Sequence, residues 1–181
     1  MILKKVYIIR HCEAEGQHMD APLTEKGYNQ AGELCNFFAN LNIERIITSP
    51  YKRARESIQP FANFSHIEIE HDNRLSERVL SNQNLPDWFE KLKLTFQDME
   101  LKLEGGESSY EAMSRIIEVI EEAFHSKNNH IVIVTHGNLL SLLLKHCNEN
   151  FGFDDWQRLS NPDIFLLENS NNNLTYKRLW S

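Results

Sequence analysis

Apolar residues along the chain follow two periods, and the alternation between them predicts the architecture. Lys4 to Arg10 is rich in Val, Ile and Tyr and apolar on both faces, as expected of a strand at the centre of a sheet covered on both sides. Ala31, Leu34, Cys35, Phe38 and Leu41 then recur at helical spacing. They predict a helix that starts behind an N-cap at Thr24, with Glu25 in its first turn, and runs to about Asn40. Glu44 to Thr48 reads as a short strand. Ser49 follows as a cap with Pro50 at the first helical position, and the helix extends to about Asn63. Ile67 to Glu70 is a third short strand, and Arg74 to Asn84 has no period and reads as a loop.

The second half repeats the alternation. Trp88, Phe89, Leu92, Leu94 and Phe96 predict a helix over about Pro86 to Met99 that packs by aromatic burial. Glu104-Gly-Gly-Glu is a turn, and Ser108 with Glu111 forms a capping box. Met113, Ile116, Ile117, Ile120 and Phe124 form one apolar stripe of the helix behind it, ending near Lys127. His130 to Thr135 is the strongest strand of the chain, and Leu139 to His146 is apolar nearly all round, hence a buried helix. Asp163 to Glu168 and Thr175 to Trp180 are two last strands, joined by a polar hairpin turn over Asn169 to Asn173. Strands alternating with helices imply a single-domain three-layer α/β/α sandwich with a mainly parallel sheet, spanning residues 1–181 without repeat or linker.

In such sheets ligands sit at the carboxyl ends of the strands. Three predicted strands end in residues that can share a phosphate: Arg10-His11, Ser49 to Arg53, and Thr135-His136-Gly137. Side chains in a helix lean towards its N-terminus, so Arg53 can reach back over the strand end before it, with Arg55 in reserve. Helix starts at two of these junctions are expected to add oriented N–H groups and positive dipole ends.

Composition narrows the partners. The formal net charge of −7 argues against a nucleic-acid partner, yet leaves room for a local basic pocket, because nearby arginines outweigh a screened distant excess. Cys12, Cys35 and Cys147 are odd in number, widely spaced and without a CxxC pair, so they read as free thiols of a reducing compartment. The chain starts Met-Ile-Leu-Lys-Lys and passes straight into the first strand. With no signal peptide and no apolar stretch long enough for a membrane, a cytoplasmic protein without membrane contact is expected. His18, His66, His71, His125, His130 and His146 read as surface or structural residues, His18 being the one on the loop after His11. No pair of them has the spacing of a helical metal site.

Taken in order, Arg10-His11-Cys12-Glu13, Pro22-Leu-Thr-Glu-Lys-Gly27, Ser49-Pro-Tyr-Lys-Arg53-Ala54, Leu75-Ser-Glu77-Arg78, Gly105-Gly-Glu-Ser108 and Val134-Thr-His136-Gly137 cover essentially the whole chain. Together they resemble the histidine phosphatase superfamily, the phosphoglycerate-mutase-like proteins. The resemblance implies that His11 is a nucleophile that becomes phosphohistidine. Arg10, Arg53 and His136 would be the other members of the phosphate pocket, with Gly137 beside them. Glu77 would protonate the leaving oxygen and later activate water. It implies no metal and no cofactor. Physical chemistry is consistent with these roles. A nucleophilic histidine must be neutral, and nearby arginines lower its pKa. The arginines also stabilise charge on the equatorial phosphate oxygens.

The sequence departs from the family pattern at three places. Cys12 stands where glycine is usual, which is tolerated if the backbone there is not left-handed, and it sets a thiol beside the nucleophile that is expected to confer sensitivity to oxidation. Gln17 stands where asparagine commonly contacts phosphate. Arg-Val-Leu-Ser after Glu77 lacks the usual glycine and aromatic pattern. Glu13 suits a supporting place better than the acid's, Ser108 is first a helix cap, Lys52 is solvated, and Trp88 and Phe89 suit packing better than a substrate wall.

The leading expectation is a metal-independent phosphatase acting on a small phosphorylated metabolite. A phosphoglycerate mutase of the same chemistry is the nearest alternative, although 181 residues leave little room for a lid-forming insertion. Removal of phosphate from protein histidines and a non-catalytic phosphate-binding module complete the alternatives. Substrate and oligomeric state are not encoded in any motif.

Overall fold

The computed structural model describes residues 4–180, so the Met1–Leu3 lead into the first strand lies outside the described residues. Six strands form one sheet in the order β3-β2-β4-β1-β5-β6. Strands β1 (Lys5–Arg10), β2 (Arg45–Thr48), β3 (Ile69–His71) and β4 (His130–Thr135) are parallel, and β5 (Asp163–Ser170) and β6 (Asn173–Arg178) are antiparallel additions at one edge. Side chains alternate between the two faces, so each central strand feeds two cores. Val6 and Ile8 of β1 face one core with Ile131 and Ile133 of β4, while Tyr7 and Ile9 face the other with Val132 and Val134.

Helices α4 (Ser109–His125) and α5 (Gly137–Cys147) cover the first face, contributing among others Ile116, Ile120, Leu140 and Leu143. Helices α1 (Glu25–Phe38) and α2 (Lys52–Ser65) cover the second with Leu34, Phe38, Ile58 and Phe61. Each such aliphatic or aromatic side chain contributes about 1.5–3 kcal/mol by leaving water. This is the expected three-layer arrangement, and it fixes the strand ends that carry the candidate site. Two further helices, α3 (Trp88–Gln97) and α6 (Phe153–Gln157), form a small satellite cluster around Leu92, Phe96 and Phe153.

Several boundaries differ from expectation. Helix α2 begins at Lys52 behind Tyr51, and Ser49 is not its cap. Strand β3 starts two residues late, and a single 3-10 turn occupies Asn73–Leu75 at the start of the expected loop. The hairpin turn is tighter than the polar run suggested: Ser170 pairs with Asn173, and Asn171 and Asn172 turn the chain with φ of 53° and 62°. Asparagine tolerates that left-handed region, which suits the primed hairpin turns. The aromatic residues at the start of α3 are not buried: Trp88 is 49% and Phe89 38% exposed, and it is Leu92, Thr95 and Phe96 that pack inward.

Candidate active site

His11 follows the last residue of β1, and its backbone N–H continues the ladder onto Thr135 O at 3.0 Å. The ring is nearly buried. Its Nδ1 lies 2.7 Å from Cys12 O, and because a carbonyl can only accept, Nδ1 carries the proton and Nε2 presents a lone pair. Arg53 Nε–H donates to that same Nε2 at 3.1 Å. Two independent contacts therefore select one tautomer. Burial pushes the His11 pKa down to about 3, and the Arg53 and Arg10 charges push the same way against the Cys12 carbonyl, so the ring is neutral at physiological pH.

Arg53 is fully buried at the start of α2. Besides His11 it donates from Nη1 to Gln17 O at 3.1 Å and His18 O at 2.9 Å, and its guanidinium lies 5.0 Å from the Tyr51 ring centre. The loop after His11 is thereby tied to the helix that follows β2. Ser57, one turn on, accepts from Cys12 N at 2.8 Å and donates to Arg53 O at 2.6 Å, clamping the same two segments. Arg55 is exposed, so the reserve candidate stays outside the site, and Lys52 faces Glu56.

His136 follows β4, with its ring 5.1 Å from that of His11 and fully buried. Its Nε2 is 2.7 Å from Ser49 Oγ, while Nδ1 has no protein partner. Ser49 Oγ also accepts from Tyr51 N at 3.2 Å, which leaves the hydroxyl proton available to Nε2. Burial, followed by His11 and Arg53, holds the His136 pKa well below the ordinary histidine range. Arg10 completes the set at the end of β1. Its Nη1 donates to Leu159 O at 3.0 Å, and its Nε is buried without a partner. Gly137 explains itself here: a Cβ would stand 2.8 Å from Arg10 Nε and 2.9 Å from Cζ, so only glycine lets the guanidinium lie against the start of α5.

Glu77 approaches from the loop after the 3-10 turn. Its Oε1 accepts from Arg78 N at 2.8 Å and Leu139 N at 2.9 Å, and its Oε2 accepts from Asn138 N at 3.1 Å. The N-terminus of α5 is thus capped by Glu77. At the other junction, Lys52 N at the start of α2 donates to Met19 O at 2.9 Å. These helix starts were expected to offer open N–H groups to an anion, but these three groups are spent on protein acceptors.

The Glu77 loop is braced by residues to which the sequence assigned no role. Arg78 is buried and donates to Thr95 Oγ1, Ser109 Oγ and Glu107 O. Arg115 of α4 forks onto both Glu107 oxygens at 2.8 Å and donates to the carbonyls of Arg74 and Ser76. A cavity of about 430 Å³ opens in front of these groups, lined by Arg10, Gln17, Glu77, Arg78, Leu80, Trp88, Leu92, Gly137, Asn138 and Trp156. Trp88, expected to pack, is therefore a cavity wall.

Of the residues singled out in the sequence, Arg10, His11, Arg53 and His136 are brought together, and Arg10, Gln17, Glu77 and Gly137 line the adjoining cavity. Glu13 is held elsewhere: Thr24 Oγ1 donates to it at 2.9 Å and Lys26 pairs with it at 3.2 Å, lowering its pKa at the start of α1. The close approach of Gly27, whose Cβ would stand 2.0 Å from Glu13 O, belongs to the same clamp. The His18 side chain is exposed. Cys12 has an ordinary backbone, as its tolerance required, and it is fully buried, with burial pushing its pKa up to about 12, which works against the expected sensitivity to oxidation. Among the described residues no group of three His, Cys, Asp or Glu side chains is gathered to hold a metal ion, and no helix is long and apolar enough to cross a membrane.

A neutral histidine follows a strand end of a mainly parallel α/β sheet, with two arginines and a second histidine around it. The profile of the histidine phosphatase superfamily (branch 1) matches residues 6–179, and the chain belongs to that superfamily. A protein of Schizosaccharomyces pombe named as a probable phosphatase is 26% identical over 163 residues, which are 82% of this chain and 76% of that protein. A probable phosphoglycerate mutase GpmB of Escherichia coli O1:K1 / APEC is 28% identical over 157 residues, 77% of this chain and 73% of its own. The mycobacterial glucosyl-3-phosphoglycerate phosphatase shares the fold, with a TM-score of 0.77 at 19% identity over 98% of this chain and 97% of that one.

Proposed function

We propose that the protein is a metal-independent phosphatase that hydrolyses a small phosphate monoester through a phosphohistidine on His11. The observation that carries this reading is the doubly determined tautomer of His11, with Nδ1 donating to Cys12 O and Nε2 facing Arg53. In the first step the Arg53 N–H turns from Nε2 to a phosphate oxygen, the freed Nε2 lone pair attacks phosphorus and the bond to the ester oxygen breaks. Arg10 and Arg53 hold the equatorial oxygens, where the transition state gathers charge. With the Ser49 hydroxyl donating to its Nε2, His136 carries its proton on the unpartnered Nδ1 and donates it to a phosphate oxygen.

Glu77 is the one carboxyl among the residues lining the cavity. A carboxylate has about four lone-pair sites. The Arg78 and Leu139 N–H groups take both sites on Oε1, and Asn138 takes one on Oε2. The remaining site is on Oε2, and we assign proton transfer to that atom. It delivers a proton to the departing alkoxide, then takes one from the water that attacks the phosphohistidine, returning His11 and releasing inorganic phosphate.

The test is release of phosphate from a panel of monoesters with chelator present, wild type beside His11→Ala. The expected result is turnover that survives chelation and falls at least about 10⁴-fold in the variant. Turnover that persists in His11→Ala would overturn the mechanism. The likeness to a protein named as a phosphoglycerate mutase favours one second reading, mutase activity by the same chemistry. Interconversion of phosphoglycerates without net phosphate release would establish it.

A further inference from the structure

Beyond the phosphate-handling groups, the cavity changes character, and the change restricts what the ester can carry. The far wall is Leu80, Leu92, Trp88 and Trp156. Trp156 stacks at a tilt on Phe153, 5.3 Å between ring centres, and Phe89 meets Phe153 edge-on at 5.0 Å and Trp88 at 5.6 Å. The two indoles that line the cavity thus belong to one aromatic cluster with Phe89 and Phe153. Trp88 nevertheless remains 49% exposed, a large apolar surface on a cavity wall with water against it.

The charges point the same way. Among the lining residues the cations are Arg10 and Arg78. Arg10 belongs to the phosphate end. Arg78 has both terminal nitrogens committed to Thr95, Ser109 and Glu107 O, and the Glu77 and Glu107 carboxylates already act on its charge. Among the described lining residues, a second anionic group on the substrate would meet Glu77 and, apart from Arg10 at the phosphate end, no uncommitted cation. Arg78 Nε and Asn138 Oδ1, on two of the lining residues, are buried without a protein partner, one donor and one acceptor. Neutral heteroatoms satisfy such groups, whereas an apolar pocket with a few polar points is the ordinary form of a site for a ring-bearing small molecule.

We infer that the leaving group of the substrate is a neutral aromatic or heteroaromatic ring system seated against Trp88 and Trp156, the phosphate being its only anionic group. This rests on the phosphate end lying at His11, Arg10 and Arg53. It makes a phosphorylated sugar acid or a phosphoglycerate a poor fit, because its carboxylate would enter the apolar half.

Binding and turnover separate the two claims. The probes are 2-(1-naphthyl)ethyl phosphate, ethyl phosphate and 3-phosphoglycerate, whose leaving groups are all alkyl alcohols, together with the non-hydrolysable naphthylethyl- and ethylphosphonates. The expected result is a kcat/KM for the naphthylethyl ester at least about tenfold above the other two, and a matching calorimetric preference for the naphthylethylphosphonate. In Trp88→Ala the naphthylethyl-over-ethyl affinity ratio falls about tenfold, and Trp88→Phe restores most of it. Equal affinity for the two phosphonates, a ratio unchanged by Trp88→Ala, or a preference for 3-phosphoglycerate overturns the inference. Phosphonate preference without turnover of any ester would leave the ring site standing and sink the phosphatase instead.

Discussion

The two ends of the cavity are built from different material. The phosphate end is made at the ends of β1, β2 and β4, in the middle of the sheet, and its four principal side chains are held by backbone carbonyls, a serine and one another. Its members are buried or nearly so. The far end is made by α3 and α6, outside the three layers, and held by edge-on and tilted ring contacts around the half-exposed Trp88 and the partly buried Trp156. Hydrogen bonds between buried groups fix position tightly and are costly to break. Ring contacts leave more freedom. Position is therefore fixed most tightly where the sheet dictates geometry, and least where helices outside the three layers meet by ring contacts.

The comparison breaks most sharply at Gly137. Gly137→Ala puts a methyl group 2.8 Å from Arg10 Nε, so the guanidinium must move. Displacing one clamp on the transferring phosphoryl group costs about 100-fold in kcat. Because the damage is to the phosphate end, the loss is the same for every ester, ring-bearing or not. Steady-state kinetics on naphthylethyl and ethyl phosphates measure this directly. A loss confined to one of them would mean that the two ends are not separate.

The same division decides what could be read from the sequence. Apolar runs that stop at Arg10-His11 and at His136-Gly137 announce buried strands whose polar ends must face something, and the sheet brings them together as the alternation of elements implies. Ser49 was legible as a helix cap and as the start of a strand-end junction, but not as a partner of His136. Its bond to His136 joins residues 87 apart and exists only because β2 lies beside β4. The brace from Arg78 through Glu107 to Arg115 is likewise a product of packing. Helix α6 spans five residues, too few to show a period, and its start is stabilised locally by Gly152 N donating to Asp155 at 2.9 Å. Trp88 and Phe89 misled because an aromatic pair at a helix start reads as core whether its surface meets protein or a cavity.

A smaller effect separates the ends by proton binding. Both phosphate-end histidines have pKa values lowered by burial, His11 to about 3 and His136 well below the ordinary 6.5. The unfolded chain takes up protons at these positions as pH falls through about 6.5, while the folded protein does not. The stability they allow is thus fully present above pH 6.5 and is lost progressively as pH falls towards 3. Each contributes a slope approaching about 1.4 kcal/mol per pH unit. Urea unfolding between pH 6.5 and 5, above the range in which the carboxylates with lowered pKa titrate, is expected to show this dependence. His11→Asn is expected to remove one proton's share of it, while Trp88→Ala leaves the slope intact. A slope that His11→Asn does not change would place a proton on the buried ring and take away its lone pair.

The least effect is expected at the residue that looks most vulnerable. Cys12 adjoins His11, the proposed nucleophile, and a thiol there invites the idea of oxidative control. Attack on peroxide requires thiolate, and burial holds the Cys12 pKa at about 12 while its surface is wholly covered. Its Cβ sits in the core against the second face of the sheet, and its N–H is taken by Ser57. Mild peroxide or iodoacetamide at neutral pH is therefore expected to leave phosphate release unchanged, with Cys12 unmodified by mass spectrometry. Modification of Cys12 with loss of activity, absent in Cys12→Ala, would show that the phosphate end opens to solvent far more often than its hydrogen bonds imply, and the contrast between a fixed end and an adaptable one would fall with it.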